Sequence, residues 1–357
     1  MDRSIASTLH TRNRAIIDAI IQKAGRCCPD ALDLIAVTGS FSREDYYEKS
    51  DLDLLIVIGD PAGYRLAKCF ALGDVGHDIY CQSWERLEHA STYPDPHVDK
   101  LLNAKIVFCR NDEVRQRYAQ MGEALRQKMS AAPDADTLQA IREHMNGAWQ
   151  DFGRLCTEQD IGLCRHLAAG VLYRVEYAIY MLNGAYIRHG IRGIPAEICA
   201  LPHLPEDFAA HYHALIKAET VEETKRELGT LLRATDGLIT EVRNRICPRK
   251  PLTADALRGT HEEIRSNWRN KMYRAAAEGD RYLAWMTAAA AQEFYHEMAA
   301  EYEMDPVIIE ETSENDLLRR AHRFDDAMRR YGENYVRTNT PFCQYDTLDE
   351  FINDYLK

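Results

Sequence analysis

The chain has 357 residues, 46% hydrophobic and 28% charged, an ordinary globular composition that is too long for one small core, so two or three domains are expected. Its formal net charge of -12 weighs against a nucleic-acid partner gripped through phosphates, which needs clustered Lys and Arg, and would better suit a cationic small substrate. No apolar run approaches the roughly 20 residues that cross a bilayer, the opening MDRSIASTLHTRNR lacks the apolar core of a secretory signal, and the cysteines include no C-x-x-C pair; a cytoplasmic chain with free thiols, no membrane contact and no zinc site is expected.

The first periodic segment, IASTLHTRNRAIIDAIIQKAG, predicts a helix stopping near Gly25, with Cys27-Cys28 at its end. LDLIAVTG (32–39) and DLDLLIVI (51–58) read as short buried strands. Pro61, in the favoured first-turn position, opens an expected helix PAGYRLAKCFAL. GHDIYCQSW (76–84) and AKIVFC (104–109) are the third and fourth strand candidates.

Beyond residue 112 helical patterns take over. In the clearest, Leu163 to Ile187, the residues Leu163, Leu167, Val171, Val175, Ile179 and Leu182 form one stripe, flanked by Tyr173, Glu176, Tyr177 and Tyr180. Residues 188–208, rich in Pro and Gly, read as a long connection before helix returns at 207–244. CPRKPLTADALRG (247–259) marks a boundary, and Leu283, Met286, Ala290, Phe294 and Met298 predict an amphipathic helix beyond it. The expected fold class is α+β: a short mixed sheet flanked by helices in 1–112, a helical bundle in 113–246, and a C-terminal helical region in 247–357.

The segment GSFSREDYYEKSDLD (39–53) carries the chemistry. Gly39-Ser40 after a buried strand exposes N–H groups and a hydroxyl suited to phosphate oxygens. Asp51 and Asp53 share one side of a strand, where a divalent cation relieves their repulsion; oxygen ligands of this kind suit Mg²⁺. Asp78 joins them if its strand is the neighbour, giving a two-metal constellation. Either piece alone reads more simply as a solvated strand end, whereas the ordered combination is specific. His77 reads as a packing histidine.

The ordered set, GS, a spacer of about ten residues, DLD between apolar residues and a later strand Asp, resembles the DNA polymerase β-like nucleotidyltransferase superfamily. Within it, the sheet domain followed by helices is similar to aminoglycoside and lincosamide nucleotidyltransferases. The motif resemblance covers roughly residues 30–110. It implies that Gly39 and Ser40 bind the triphosphate, that Asp51 and Asp53 hold the metal ions, and that Asp78 completes the metal site or acts as base; Arg43 and Ser50 are in loop positions that contact phosphates. The implied reaction is Mg²⁺-dependent transfer of a nucleoside monophosphate, AMP from ATP, to a small hydroxylated, aminoglycoside-like acceptor with release of pyrophosphate. A homodimer can complete the site in such relatives. A protein-adenylylating enzyme of toxin–antitoxin type would use the same metal site, an RNA-tailing enzyme would need a basic track that is not found, and a non-catalytic nucleotide-binding regulator would require a broken carboxylate set.

Glu176 allows two readings: a general base, since a carboxylate among tyrosines on a buried helix has a raised pKa, or a glutamate satisfied by a Tyr hydroxyl or an Arg inside the bundle. The second is favoured. Trp149, Trp268 and Trp285 read as packing residues before stacking platforms.

Overall fold

The structure is a computed structural model that describes residues 3–309 and 316–357. The chain divides into two compact units, Met1–Arg243 and Asn244–Lys357. Among the described residues no helix is long and apolar enough to cross a membrane, and all ten cysteines are free thiols.

The first unit opens with α1 (Arg3–Cys27), β1 (Leu32–Val37), α2 (Gly39–Arg43) and β2 (Leu54–Ile58). A 3-10 turn (Pro61–Leu66), β3 (Lys68–Leu72), β4 (Val75–Ile79), β5 (Cys81–Ser83), α3 (Trp84–Ser91), α4 (Asp99–Leu102) and β6 (Lys105–Cys109) follow. The main sheet runs β5-β2-β1-β6, and β3-β4 form a separate hairpin. β1 is antiparallel to both β2 and β6, whereas β5 lies parallel to β2. The two-residue alternation of strands explains how both sheet faces are buried. Leu34, Ala36, Leu55 and Val57 join the helical core, while Leu32, Ile35, Ile56 and Ile58 pack in the cluster that holds Ile20 and Ala24 of α1.

The helical half of this unit comprises α5 (Asp112–Ser130), α6 (Ala135–Thr157), α7 (Ile161–Leu182), α8 (Gly190–Ile198), α9 (Phe208–Lys217) and α10 (Val221–Ile246). The starts of α5, α6 and α7 are set by Asn111, Asp134 and Asp160, whose side chains accept N–H groups of the first turn. Along α7 the predicted stripe turns inward from Val171 onward, but Leu163 stays exposed.

Three expectations are corrected. Residues 61–72 are not one helix: the helical turn stops at Leu66 and the chain turns back as β3. The cause is the two-residue loop Gly73-Asp74, where Gly73 has φ +63° and closes a hairpin with Leu72 opposite Val75. The connection 188–208 contains α8, with Pro195 inside it. In the second unit, the helix Arg281–Glu301 turns a different face inward than the apolar spacing predicted.

That unit holds α11 (Ala254–Leu257), α12 (Thr260–Ile264), a π-helical turn (Arg265–Arg269), α13 (Asn270–Glu278), α14 (Arg281–Glu301), α15 (Leu317–Arg337) and α16 (Leu348–Tyr355). In α14 the buried face is Ala284, Ala288, Ala291 and Tyr295, and Met286 is exposed. Alanines on the inner face suit close approach to the core, which is rich in tyrosines from α14 and α15.

Candidate active site

β1 ends at Val37, and the chain turns directly into α2 at Gly39. The turn is tied to the DLD segment: the Thr38 N–H donates to the Asp53 carbonyl at 3.0 Å, and the Ser40 amide acts on the Asp53 carboxylate. Gly39 has φ +61°, and a Cβ built on it would lie 1.8 Å from Asp53 Oδ2. Only glycine permits this approach of backbone to carboxylate. The spacing GS to DLD is therefore a contact, made because antiparallel β1 and β2 bring their ends together.

α2 is anchored through Ser42, whose Oγ donates to the Asn103 carbonyl at 2.7 Å, and through buried Phe41, stacked on Tyr46 at 4.2 Å between centroids. Ser50 is buried within the loop. Its Oγ accepts the Tyr47 N–H at 2.9 Å, and its carbonyl accepts from Arg12 at 2.7 Å. Ser50 thus pins the loop beside Asp51, and Arg12 feels the charge of Asp51. Arg43 lies 3.3 Å from Asp45 and acts electrostatically on Asp53 and Asp99.

Asp51 and Asp53 are open to solvent on one side. The protein wall on the other side still desolvates Asp53 and, with the charges of Asp51 and Asp99, holds its carboxyl above the usual range; Arg43 and the Ser40 N–H oppose the rise. Asp99, at the start of α4, is also held high, chiefly by desolvation, with Arg43 opposing. The spacing motif gave no sign of Asp99; its only signal is the run DPHVD between prolines and an apolar strand.

The structure does not assemble the expected three-carboxylate cluster. β5 pairs with β2 from Ile56 opposite Cys81. Continued backwards, that register would set residue 53 opposite residue 78 on the same sheet face. Before Cys81, however, the strand leaves β2 and pairs with β3, so Asp78 lies opposite Cys69, whose thiol donates to it at 3.1 Å. Asp78 is exposed there, while neighbouring His77 is buried against Phe70, under the influence of Arg12 and Asp51. Among the described residues no group of three His, Cys, Asp or Glu is placed to hold a metal. The Asp51–Asp53 pair is the donor set that remains. It fits Mg²⁺, which takes one or two carboxylates and completes its shell with substrate phosphates and waters.

On the helical side, Glu176 is buried and accepts the Tyr212 hydroxyl at 2.6 Å. Desolvation pushes its carboxyl up to about 7, against the lowering effect of that bond. The α7 residues that reach toward the sheet are Tyr173 and Tyr177, both bonded to His97 in the loop before α4. Arg174 pairs with Asp151, and Arg165 donates to carbonyls at the end of α9. A cleft of about 640 Å³ opens beside Asn103, between α4, α5, α7 and α8. Its walls include Tyr186 with Arg188 stacked over it, Arg126, and apolar Leu102, Met129 and Leu201.

Residues 20–143 match the model of the nucleotidyltransferase domain family. No curated protein matches the sequence. Among solved structures, the chain is similar to a nucleotidyltransferase-like protein from Exiguobacterium sibiricum, at 16% identity and a TM-score of 0.33, over 69% of this chain and 83% of that one. The family match spans the end of α1, the sheet, the GS turn and the carboxylate pair. Residues 20–143 are accordingly a nucleotidyltransferase domain.

Proposed function

We propose that the chain moves a nucleoside monophosphate, AMP from ATP, to a hydroxyl of a small molecule and releases pyrophosphate. The observation that carries this reading is the close approach of the Asp53 carboxylate to the Gly39-Ser40 turn, beside Asp51. One position thus offers N–H groups for a phosphate and carboxylates for a cation. Asp51 and Asp53 would hold Mg²⁺. When bound, Mg²⁺ neutralises charge on the triphosphate and on the departing pyrophosphate.

The chain's own residues bind and orient. Gly39 and Ser40 present amides to the triphosphate, so donor binding exchanges the Asp53 carboxylate for phosphate oxygens at the Ser40 N–H. Arg43, close enough to act on both Asp53 and Asp99, balances negative charge at this edge. The cleft beside Asn103, with its Tyr186–Arg188 stack and apolar walls, suits the nucleoside. The acceptor then approaches from the side of the 92–99 loop, where Asp95 and Asp99 favour a cationic, hydroxylated molecule.

The test uses purified protein, labelled ATP and Mg²⁺ with a panel of aminoglycosides, nucleosides, tRNA and proteins, reading pyrophosphate and labelled product. A labelled small molecule supports the proposal. A labelled protein moves the assignment to the protein-adenylylating class, and ATP binding without pyrophosphate moves it to the regulator class.

A further inference from the structure

The loop between α3 and α4 carries a histidine whose surroundings are more ordered than its exposure requires. Asp95 Oδ1 accepts the His97 N–H at 2.7 Å and lies 3.7 Å from the ring Nδ1. The Tyr177 hydroxyl is 2.7 Å from Nδ1 and 3.3 Å from Nε2, and the Tyr173 hydroxyl is 3.1 Å from Nε2. His144 of α6 packs edge-on against Tyr177 from behind, at 5.1 Å between centroids. Asp95 is held below the usual carboxylate range, first by the His97 ring. Even so, 44% of the His97 side chain is open to solvent.

The cluster adjoins the donor edge. His97 acts electrostatically on Asp99, and Asp99 acts in turn on Asp53. Tyr173 is itself 40% exposed, so its hydroxyl at Nε2 can be displaced, and it marks a place where an O–H donates to the imidazole. The groups facing His97 are Asp95 and Asp99 from its own loop region, Tyr173 and Tyr177 from α7, and His144 behind them.

We propose that His97 is the catalytic base for the acceptor hydroxyl, an assignment that rests on the nucleotidyl-transfer reading above. The Tyr177 oxygen, the nearer to Nδ1, holds the ring with its proton there in the field of the Asp95 carboxylate, which leaves the lone pair on Nε2. The acceptor O–H replaces Tyr173 there. Its proton passes to Nε2 while the freed oxygen pair forms the bond to the α-phosphorus. The bond from that phosphorus to the bridging oxygen breaks, and its electron pair leaves with pyrophosphate. The imidazolium, stabilised by Asp95, returns its proton to water across the open edge of the ring. Of the carboxylates at this edge, Asp51 and Asp53 are taken up by the cation in the reading above.

The experiment measures pyrophosphate release from ATP and Mg²⁺, with water as acceptor and then with the panel above, for wild type, His97→Gln, His97→Ala and Asp53→Asn. The expected result is a fall in kcat of about 10²-fold for both His97 variants, with unchanged thermal stability and unchanged affinity for ATP and Mg²⁺. Added imidazole restores part of the rate to His97→Ala, and the acid limb of the pH–rate profile disappears in His97→Gln. Wild-type rates and pH profile in the His97 variants overturn the base assignment alone. So does a loss that imidazole does not restore and that tracks lost stability or ATP affinity. If wild type releases no pyrophosphate under any of these conditions, the nucleotidyl-transfer reading fails and the base assignment fails with it.

Discussion

Asp53, at the head of β2, and Glu176, in the middle of α7, both hold a proton more tightly than a free carboxyl, in opposite surroundings. Asp53 is open to solvent on one side and is pushed by desolvation together with the charges of Asp51 and Asp99. Glu176 is buried, is raised by desolvation alone, and has one partner, the Tyr212 hydroxyl. A carboxylate strained by like charges is relieved by a cation; one strained by burial is relieved by a proton. The first arrangement suits the proposed metal and phosphate site, the second the interior of a helical bundle.

The largest effect that would sharpen this contrast is on Glu176. Its carboxyl sits at about 7 in the folded protein against an ordinary value of 4.5. Between those values the folded state keeps a proton that the unfolded state has lost, so stability falls as pH rises through this window and is flat above it. The fall is on the order of 3 kcal/mol. Denaturation of wild type and Glu176→Gln at pH 5 and pH 8 should show the variant gaining on wild type at the higher pH by about that amount. Parallel curves would mean that Glu176 is not a protonated, buried group.

Gly39→Ala acts on the other carboxylate. A Cβ at 1.8 Å from Asp53 Oδ2 must displace the Asp53 side chain or unwind the turn. Pyrophosphate release should drop by about 10²-fold, and the left-handed backbone adds roughly 1 kcal/mol of destabilisation. An unaffected rate would show that the close approach is not needed for the reaction.

The smallest effect lies at the far end of the sheet. Trp84 Nε1 donates to buried Asp33 at 2.7 Å, Arg110 pairs with the same carboxylate at 3.1 Å, and Arg117 stacks over the indole. Trp84→Phe should cost about 1–2 kcal/mol of stability and leave kcat unchanged, which chemical denaturation and the pyrophosphate assay check together. A fall in kcat would tie this end of the sheet to the reaction.

The donor edge was legible because its chemistry is compact in sequence: a strand, a glycine turn and alternating aspartates report their geometry through spacing. Asp78 was harder to place. Strand alternation puts it on the right face, but nothing in GHDIYCQSW reveals that the first half of the run is taken by a hairpin partner. That partner was read as helix because Pro61 is a strong local start, while the Gly-Asp loop that reverses the chain is only two residues long. The acceptor side was largely illegible. Asp95 and His97 lie in an irregular loop with no period, Asp99 only begins the short α4, and the proposed role of His97 depends on Tyr173 and Tyr177, which are distant in sequence and look like flanks of a core stripe. Glu176 stands out as the one carboxylate on that helix, and burial with a tyrosine partner accounts for it.

The central claim is that the Asp51–Asp53 edge is where ATP and Mg²⁺ are engaged. Its most direct test is pyrophosphate release by wild type and by an Asp51→Asn/Asp53→Asn double variant that retains the wild-type melting temperature. The account predicts Mg²⁺-dependent release by wild type and a loss on the order of 10³-fold in the double variant. Equal release by both proteins would contradict it.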